Sequence, residues 1–353
     1  MNNYQNSNTI LRRSIIIGGV AALISLVGAL FETRDFLTAY LEAYLFTLAI
    51  PLGSLAILML HNLTGGEWGL VMRPVLLAAM RMIMPLAILF LPVIIWSAEI
   101  YPWMNNSWTN YLTPFFAFAR TIFYFFIWIG TASLLHRTIN NSALGDTEKK
   151  RKLQLINAPG LLLYFLTMTF ASFDWMVSLD AQWSSTIYGL IIIGGQGISA
   201  LCFAIIILAW KEGAKPEHFH DLGKLLLAFV MLWAYFAFSQ YLIIWSGNLP
   251  DEITWFLARI RGGWEPVGIL VVAVHFAVPF FLLLSQRLKR NARRLSLVAL
   301  TLLSMRWIDT IWYIEPAFYP GKFHLSWLHI SLPIAFCAIG FAYFLYCLQT
   351  ENG

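Results

Sequence analysis

The stretch "TMTFASFDWMVSLDAQW" (residues 167–183) places two carboxylates, Asp174 and Asp180, at the end of a run that otherwise has the composition of a lipid-facing helix. The rest of the chain explains the setting. Of its 353 residues 59% are hydrophobic and only 12% charged, and the mean hydropathy is +0.69. These values lie outside the range of a soluble globular protein. Apolar runs long enough to cross a hydrocarbon layer of about 30 Å recur throughout. We count ten, over 13–31, 38–60, 71–95, 113–135, 157–177, 185–209, 222–246, 264–285, 295–315 and 327–347. The expected fold class is an all-α polytopic membrane protein with ten transmembrane helices in a single membrane domain.

An even number of crossings puts both termini on one side. Loops on that side hold 16 of the 23 basic residues: Arg12, Arg13, Arg73, Arg137, four in 148–152, Lys211, Lys215, Lys224 and five in 287–294. The opposite loops hold only Arg34, Arg259, Arg261 and Lys322. The positive-inside rule then makes both termini cytoplasmic. The opposite loops contain "EIYPWMNNSW" (99–108) and "DEITWFLARIRGGW" (251–264), with the Trp and Tyr expected at headgroup level. The first twelve residues lack the pattern of a cleavable signal, so helix 1 is expected to be retained. The net charge of +5 sits in loops facing anionic lipid and calls for no nucleic-acid partner.

Cys202, Cys337 and Cys347 lack C-x-x-C spacing and read as buried, reduced packing residues. His61, His136, His275 and His329 fall on different helices, and no helix carries the two spaced histidines of a quinol-oxidising cytochrome b. The chain is therefore expected to bind no haem, and no metal site is expected. His218 and His220, with no third ligand nearby in sequence, read as solvated loop residues. "GGQGIS" (194–199) reads as close helix packing, since it lies in the membrane and lacks the Lys of a phosphate loop.

Helices 2–5 and 6–9 resemble two copies of one four-helix unit, about 38–180 and 185–315. "FDWMVSLD" (173–180) aligns with "IDTIWYIE" (308–315), pairing Asp174 with Asp309 and Asp180 with Glu315. Tyr40 matches Tyr188, "PLGS" (51–54) resembles "GQGIS" (195–199), and Arg73 corresponds to Lys224. Copies of four spans keep the same orientation and are related by an axis near the membrane normal. Helices 1 and 10 are then expected at the periphery.

A rise of about 1.5 Å per residue converts distance from a loop into depth. It sets His275 and Arg306 level, about 16 Å from the cytoplasmic edge, with Asp309 one turn further on the same face. Glu42, Arg120, Asp174, Ser239 and Gln240 come out at about 24–27 Å, and Arg81 near the middle. Ionisable groups at such depths cost several kcal/mol unless paired, so they face the bundle interior or a wet cavity. One reading makes them ion pairs that lock the bundle. The other makes them a proton path, because a carboxylate and imidazole chain can hand on protons. His136, beside Arg137, is then a candidate for proton uptake. Asp180, Glu265 and Glu315 read as residues near the outer interface, where a carboxylate is cheap and docking accounts for them as well as chemistry does.

Two long stretches carry a family likeness. "DLGKLLLAFVMLWAYFAFSQYLIIWSGNLPDE" (221–252) and "SFDWMVSLDAQWSSTIYG" (172–189) resemble the F subunit of bacterial alternative complex III, itself similar to NrfD-type integral membrane proteins. The resemblance implies a non-redox membrane subunit of a quinol:electron acceptor oxidoreductase in an electron-transport chain. It further implies partners that hold the haem c and iron-sulfur groups, an NrfD-type C subunit, and a part in proton translocation. On it, Asp174, Ser239 and Gln240 fall within the matched stretches, whereas His275, Arg306 and Asp309 rest on depth alone. A quinone-binding subunit is the nearest competitor, with Trp175, Trp307 and Trp312 lining a pocket near Asp174 and Asp309. A stand-alone secondary transporter is the third.

Overall fold

The computed structural model describes residues 2–104, 111–143, 145–180, 183–211 and 213–351, with side chains from residue 8 onward. Trp108 of the aromatic 99–108 stretch lies outside the described residues. Ten helices are long and apolar enough to cross a membrane. They are α1 (Asn8–Phe31), α2 (Thr33–Thr64), α3 (Glu67–Ile95), α4 (Pro114–Asn140), α5 (Asp146–Leu179), α6 (Tyr188–Trp210), α7 (Pro216–Gly247), α8 (Glu265–Leu284), α9 (Ala292–Phe318) and α10 (Leu328–Glu351). Each expected span is present, and the described residues contain no strand. We call the face holding the start of α1 and the end of α10 the near face, and the opposite one the far face.

Helix ends run past the apolar runs wherever polar residues suit a helix terminus. Residues 146–154, read above as loop, instead form the first turns of α5. Asp146 and Glu148 complement the dipole at its start, and Glu148 pairs with Lys152 at 2.8 Å. His218 and His220 likewise belong to the first turns of α7 and not to a loop, and His218 Nδ1 accepts from the Lys215 N–H at 3.2 Å.

α2 and α6 are buried along most of their length and form the centre. Around them pack α3, α5, α9 and α10 on α2, and α5, α7 and α9 on α6. Glycines set how closely helices approach. A side chain at Gly53 would overlap the Gln196 carbonyl, and one at Gly195 would overlap the Arg306 guanidinium. One at Gly197 would strike Phe229. "GGQGIS" therefore packs helices, as its composition suggests. α1 lies on α10 through Gly18, Ala21, Ser25 and Gly28, whose spacing puts small residues on one face, and Ser25 Oγ donates to Ser331 Oγ at 2.8 Å. α1 is peripheral as expected. α10 is not, because its inner face packs on α2 and α3 and carries the buried His329.

Prolines shape the irregular stretches. α3 breaks after Met80 and again after Ile88, ahead of Pro85 and Pro92. A proline removes one backbone donor and crowds the carbonyl four residues earlier. Tyrosines of α2 satisfy carbonyls along this broken stretch, Tyr44 donating to Leu86 O at 2.9 Å and Tyr40 to Leu89 O at 2.7 Å. In α8, Pro279 denies the His275 carbonyl its usual partner, and Val271–Ala277 widens into a π-helical turn containing His275. In α9, Pro316 frees the Trp312 carbonyl. Arg259, from the far-face helix Pro250–Arg259, donates through Nε to that carbonyl at 3.1 Å and through Nη2 to Tyr313 O at 2.5 Å. Arg259 also lies 3.7 Å above the Trp255 ring and is buried, so this loop cation belongs to the packing of α9. Cys202 and Cys347 are buried, but Cys337 faces outward, correcting the expectation that all three are interior.

Candidate functional site

The residues singled out by depth separate into four groups. In the first, Arg120 of α4 grips Asp174 of α5 with both arms, Nε to Oδ2 at 2.9 Å and Nη2 to Oδ1 at 2.7 Å. Tyr124 donates to Oδ2 at 2.7 Å, and the Tyr111 ring lies 3.8 Å beneath the guanidinium. A carboxylate holding three strong donors, two of them from one guanidinium, is firmly fixed. This is the geometry of an ion pair that locks α4 to α5.

The second group lies in mid-bundle. Arg306 contacts Asp309 through Nη1, and both are buried. Pairing is incomplete: Arg306 Nε and Asp309 Oδ1 have no hydrogen-bond partner. His275, on the π turn that packs against α9, lies against Trp233 with ring centres 4.1 Å apart and planes tilted by 60°, and neither of its nitrogens is hydrogen-bonded. A cavity of about 20 Å³ adjoins Arg306, bordered by Gln196, Ser199, Thr310 and Tyr313. That is enough for one water molecule, and the polar border offers it partners.

The third group was not assembled by sequence reasoning. Glu42 of α2, Glu315 of α9 and His329 of α10 meet in the far half of the bundle, all buried. His329 Nε2 stands 3.2 Å from Glu315 Oε2 and 3.5 Å from Glu42 Oε2. Both oxygens of Glu42 and Oε1 of Glu315 lack hydrogen-bond partners. Glu315 is thus no interfacial carboxylate, which corrects the reading above. Because α2 and the end of α9 run beneath the far-face loop, distance from the helix end misjudges its exposure. Above this group Asp35 accepts from Tyr319 and contacts His324 Nε2 at 3.0 Å. Burial, and next the bond to Asp35, raise the Tyr319 hydroxyl above the ordinary tyrosine range, so it stays a donor.

The fourth group sits at the near face. His136 Nε2 lies 2.6 Å from Glu351 Oε1, and Arg81 donates to Thr350 Oγ1 at 2.8 Å and to Glu351 at 3.3 Å. The Arg81 backbone lies midway along α3, where the neighbouring Met82 packs against Gly340 halfway along α10, and its long side chain carries the guanidinium to the last turn of α10.

Other candidates are dispersed. Gln240 accepts from Ser185 at 2.5 Å while Ser239 is half-buried. Trp175 packs on Phe90 and Phe125 and donates to Thr121 at 3.3 Å. Trp307 packs on Phe46, and Trp312 on Trp255. Trp175 alone of the three borders the cavity beside Arg306. Asp180, the repeat partner of Glu315, is half-buried near Arg259, and Glu265 is exposed and accepts from the Gly263 N–H. His329 and Glu315 share one recognisable signal, a titratable residue one turn inside an apolar helix end. No protein-family model matches the chain, and no curated protein matches it.

Proposed function

We propose that the chain is a non-redox membrane subunit of a quinol:electron acceptor oxidoreductase of the alternative complex III kind, providing a proton route beside the quinol-oxidising subunit. One observation carries the proposal: α9 carries Arg306, Asp309, Thr310 and Tyr313 on one buried face beside a water-sized cavity, and Glu315, on the other side of the same helix toward its far end, meets Glu42 and His329. Several atoms along it lack partners, and such groups persist in a membrane helix mainly where they handle ions or protons. Water in the cavity contacts Arg306, Thr310 and Tyr313, Asp309 and His275 beside Arg306 are the titratable groups of this step, and Glu42, Glu315 and Asp35 continue the route toward the far face. His136, Glu351 and Arg81 form the near-face approach. Asp174 and Arg120 hold the scaffold. Haem c, iron-sulfur and quinone sites lie in partner subunits. The crossing of α2 and α6, with Gly53 of "PLGS" against Gln196 of "GQGIS", supports the doubled four-helix unit, since matching segments meet at an axis along the normal.

Purification under mild detergent tests this reading. The chain should bring with it subunits with haem c spectra and quinol oxidation activity; a chain that purifies alone and exchanges solutes would overturn it. The near face is assigned to the cytoplasm. Cysteines placed at Ser142 or Glu148 should resist a membrane-impermeant thiol reagent in intact cells and react after permeabilisation. Ready labelling in intact cells would invert the orientation.

A further inference from the structure

We propose that Glu42, Glu315 and His329 form a binding site for a divalent transition-metal ion, zinc above all. The three ligand atoms come from three different helices and lie within 4.8 Å of one another. Zinc takes carboxylate oxygen and imidazole nitrogen at about 2.1 Å, so adjacent ligands around a tetrahedral ion stand about 3.4 Å apart. The distances from His329 Nε2 to the two carboxylates, 3.2 and 3.5 Å, match that edge. The imidazole favours zinc over magnesium or calcium, which take oxygen ligands alone.

The unpartnered atoms point the same way. Glu42 is fully buried with neither oxygen hydrogen-bonded, and Glu315 Oε1 is buried without a partner. Such carboxylates forfeit their hydration for nothing unless something binds between them. Two carboxylates and one divalent cation sum to zero charge around a neutral histidine, the condition that costs least in a low-dielectric interior. His329 is already oriented for the task. Its Nδ1 accepts from the Ser326 N–H at 3.0 Å and lies 3.2 Å from the Ser326 carbonyl, which holds the ring with Nε2 toward the carboxylates. An ion that takes Nε2 moves the ring proton to Nδ1, where that carbonyl accepts it. Asp35 precedes Glu42 by two turns on α2, and Tyr319 follows Glu315 by one turn on α9. The Asp35, Tyr319 and His324 layer is therefore the next polar step toward the far face, by which an ion can arrive. A bound ion takes the lone pairs of Glu42 and Glu315 and so halts at that step the proton route proposed above, and the test reads binding alone, so that either proposal can fail without the other.

The test uses the full chain in detergent, stripped with a chelator, reloaded with zinc and analysed for metal content. We expect one zinc per chain, retained in Glu148→Gln on the exposed start of α5. In Glu42→Gln/Glu315→Gln, affinity should fall by more than about 100-fold, beyond the roughly 10–100-fold that second-layer changes cost. Cobalt loaded into the wild-type chain gives a second reading, independent of whether the variant folds. A visible spectrum of tetrahedral cobalt, displaced by zinc, supports the site. Zinc content that is the same in the folded double variant, or no tetrahedral cobalt spectrum in the wild type, overturns it.

Discussion

In vesicles that oxidise quinol, Asp309→Asn is expected to abolish proton movement while the complex still assembles. The amide keeps the shape of the carboxylate and one oxygen that can accept from Arg306 Nη1, so the contact between the two survives as a hydrogen bond. The cavity at Arg306 holds room for a water molecule that can solvate the guanidinium left without its counter-charge. What disappears is the titratable group. Measuring protons moved per quinol oxidised, alongside the yield of assembled complex, separates the two roles of this residue. Unchanged proton movement in an assembled complex would sink the proton-route reading. A failure to assemble would show that Asp309 serves only as counter-ion, since an unpaired buried cation costs about 3–5 kcal/mol.

Asp174→Asn should behave in the opposite way. Asp174 already receives two donors from Arg120 and one from Tyr124, which occupy three of the roughly four lone-pair sites of its carboxylate and fix it in place. An amide there turns an NH2 group toward a guanidinium arm or toward the Tyr124 hydroxyl, and the charge of Arg120 loses its partner. We expect a cost of about 3 kcal/mol, at the low end for a broken buried pair because Arg120 keeps 21% of its side chain exposed. Yield of assembled complex should fall markedly, whereas protons moved per quinol in the surviving fraction should match the wild type. Normal assembly with lost proton movement would reverse the assignments of Asp174 and Asp309.

The contrast between these two aspartates shows where sequence reasoning stops. The pairing of "FDWMVSLD" with "IDTIWYIE" aligns them, and that alignment by itself assigns them one role. Their partners differ: Asp174 is met by an arginine from another helix, Asp309 by an arginine one turn away on its own. The tertiary packing around α9 leaves a gap beside Arg306. Around Asp174 the aromatic rings of Tyr124, Trp128 and Trp175 fill the space.

Composition and length alone determined the ten crossings, because a helix that spans lipid must satisfy its own backbone and needs about 20 apolar residues to do so. Depth along each helix was also legible, whereas the enclosure of Glu315 by its neighbours was not. Which residues meet was decided only in three dimensions. The central helices α2 and α6 are apolar on every side, so no stripe marks the face that carries Glu42 or Gln196. Joining Glu42, Glu315 and His329 required the rotation of three helices about their own axes and the docking of α10 on α2. Those rotations are set by glycines such as Gly53 and Gly195 and by the volumes that press against them, which are properties of packing and not of order along the chain.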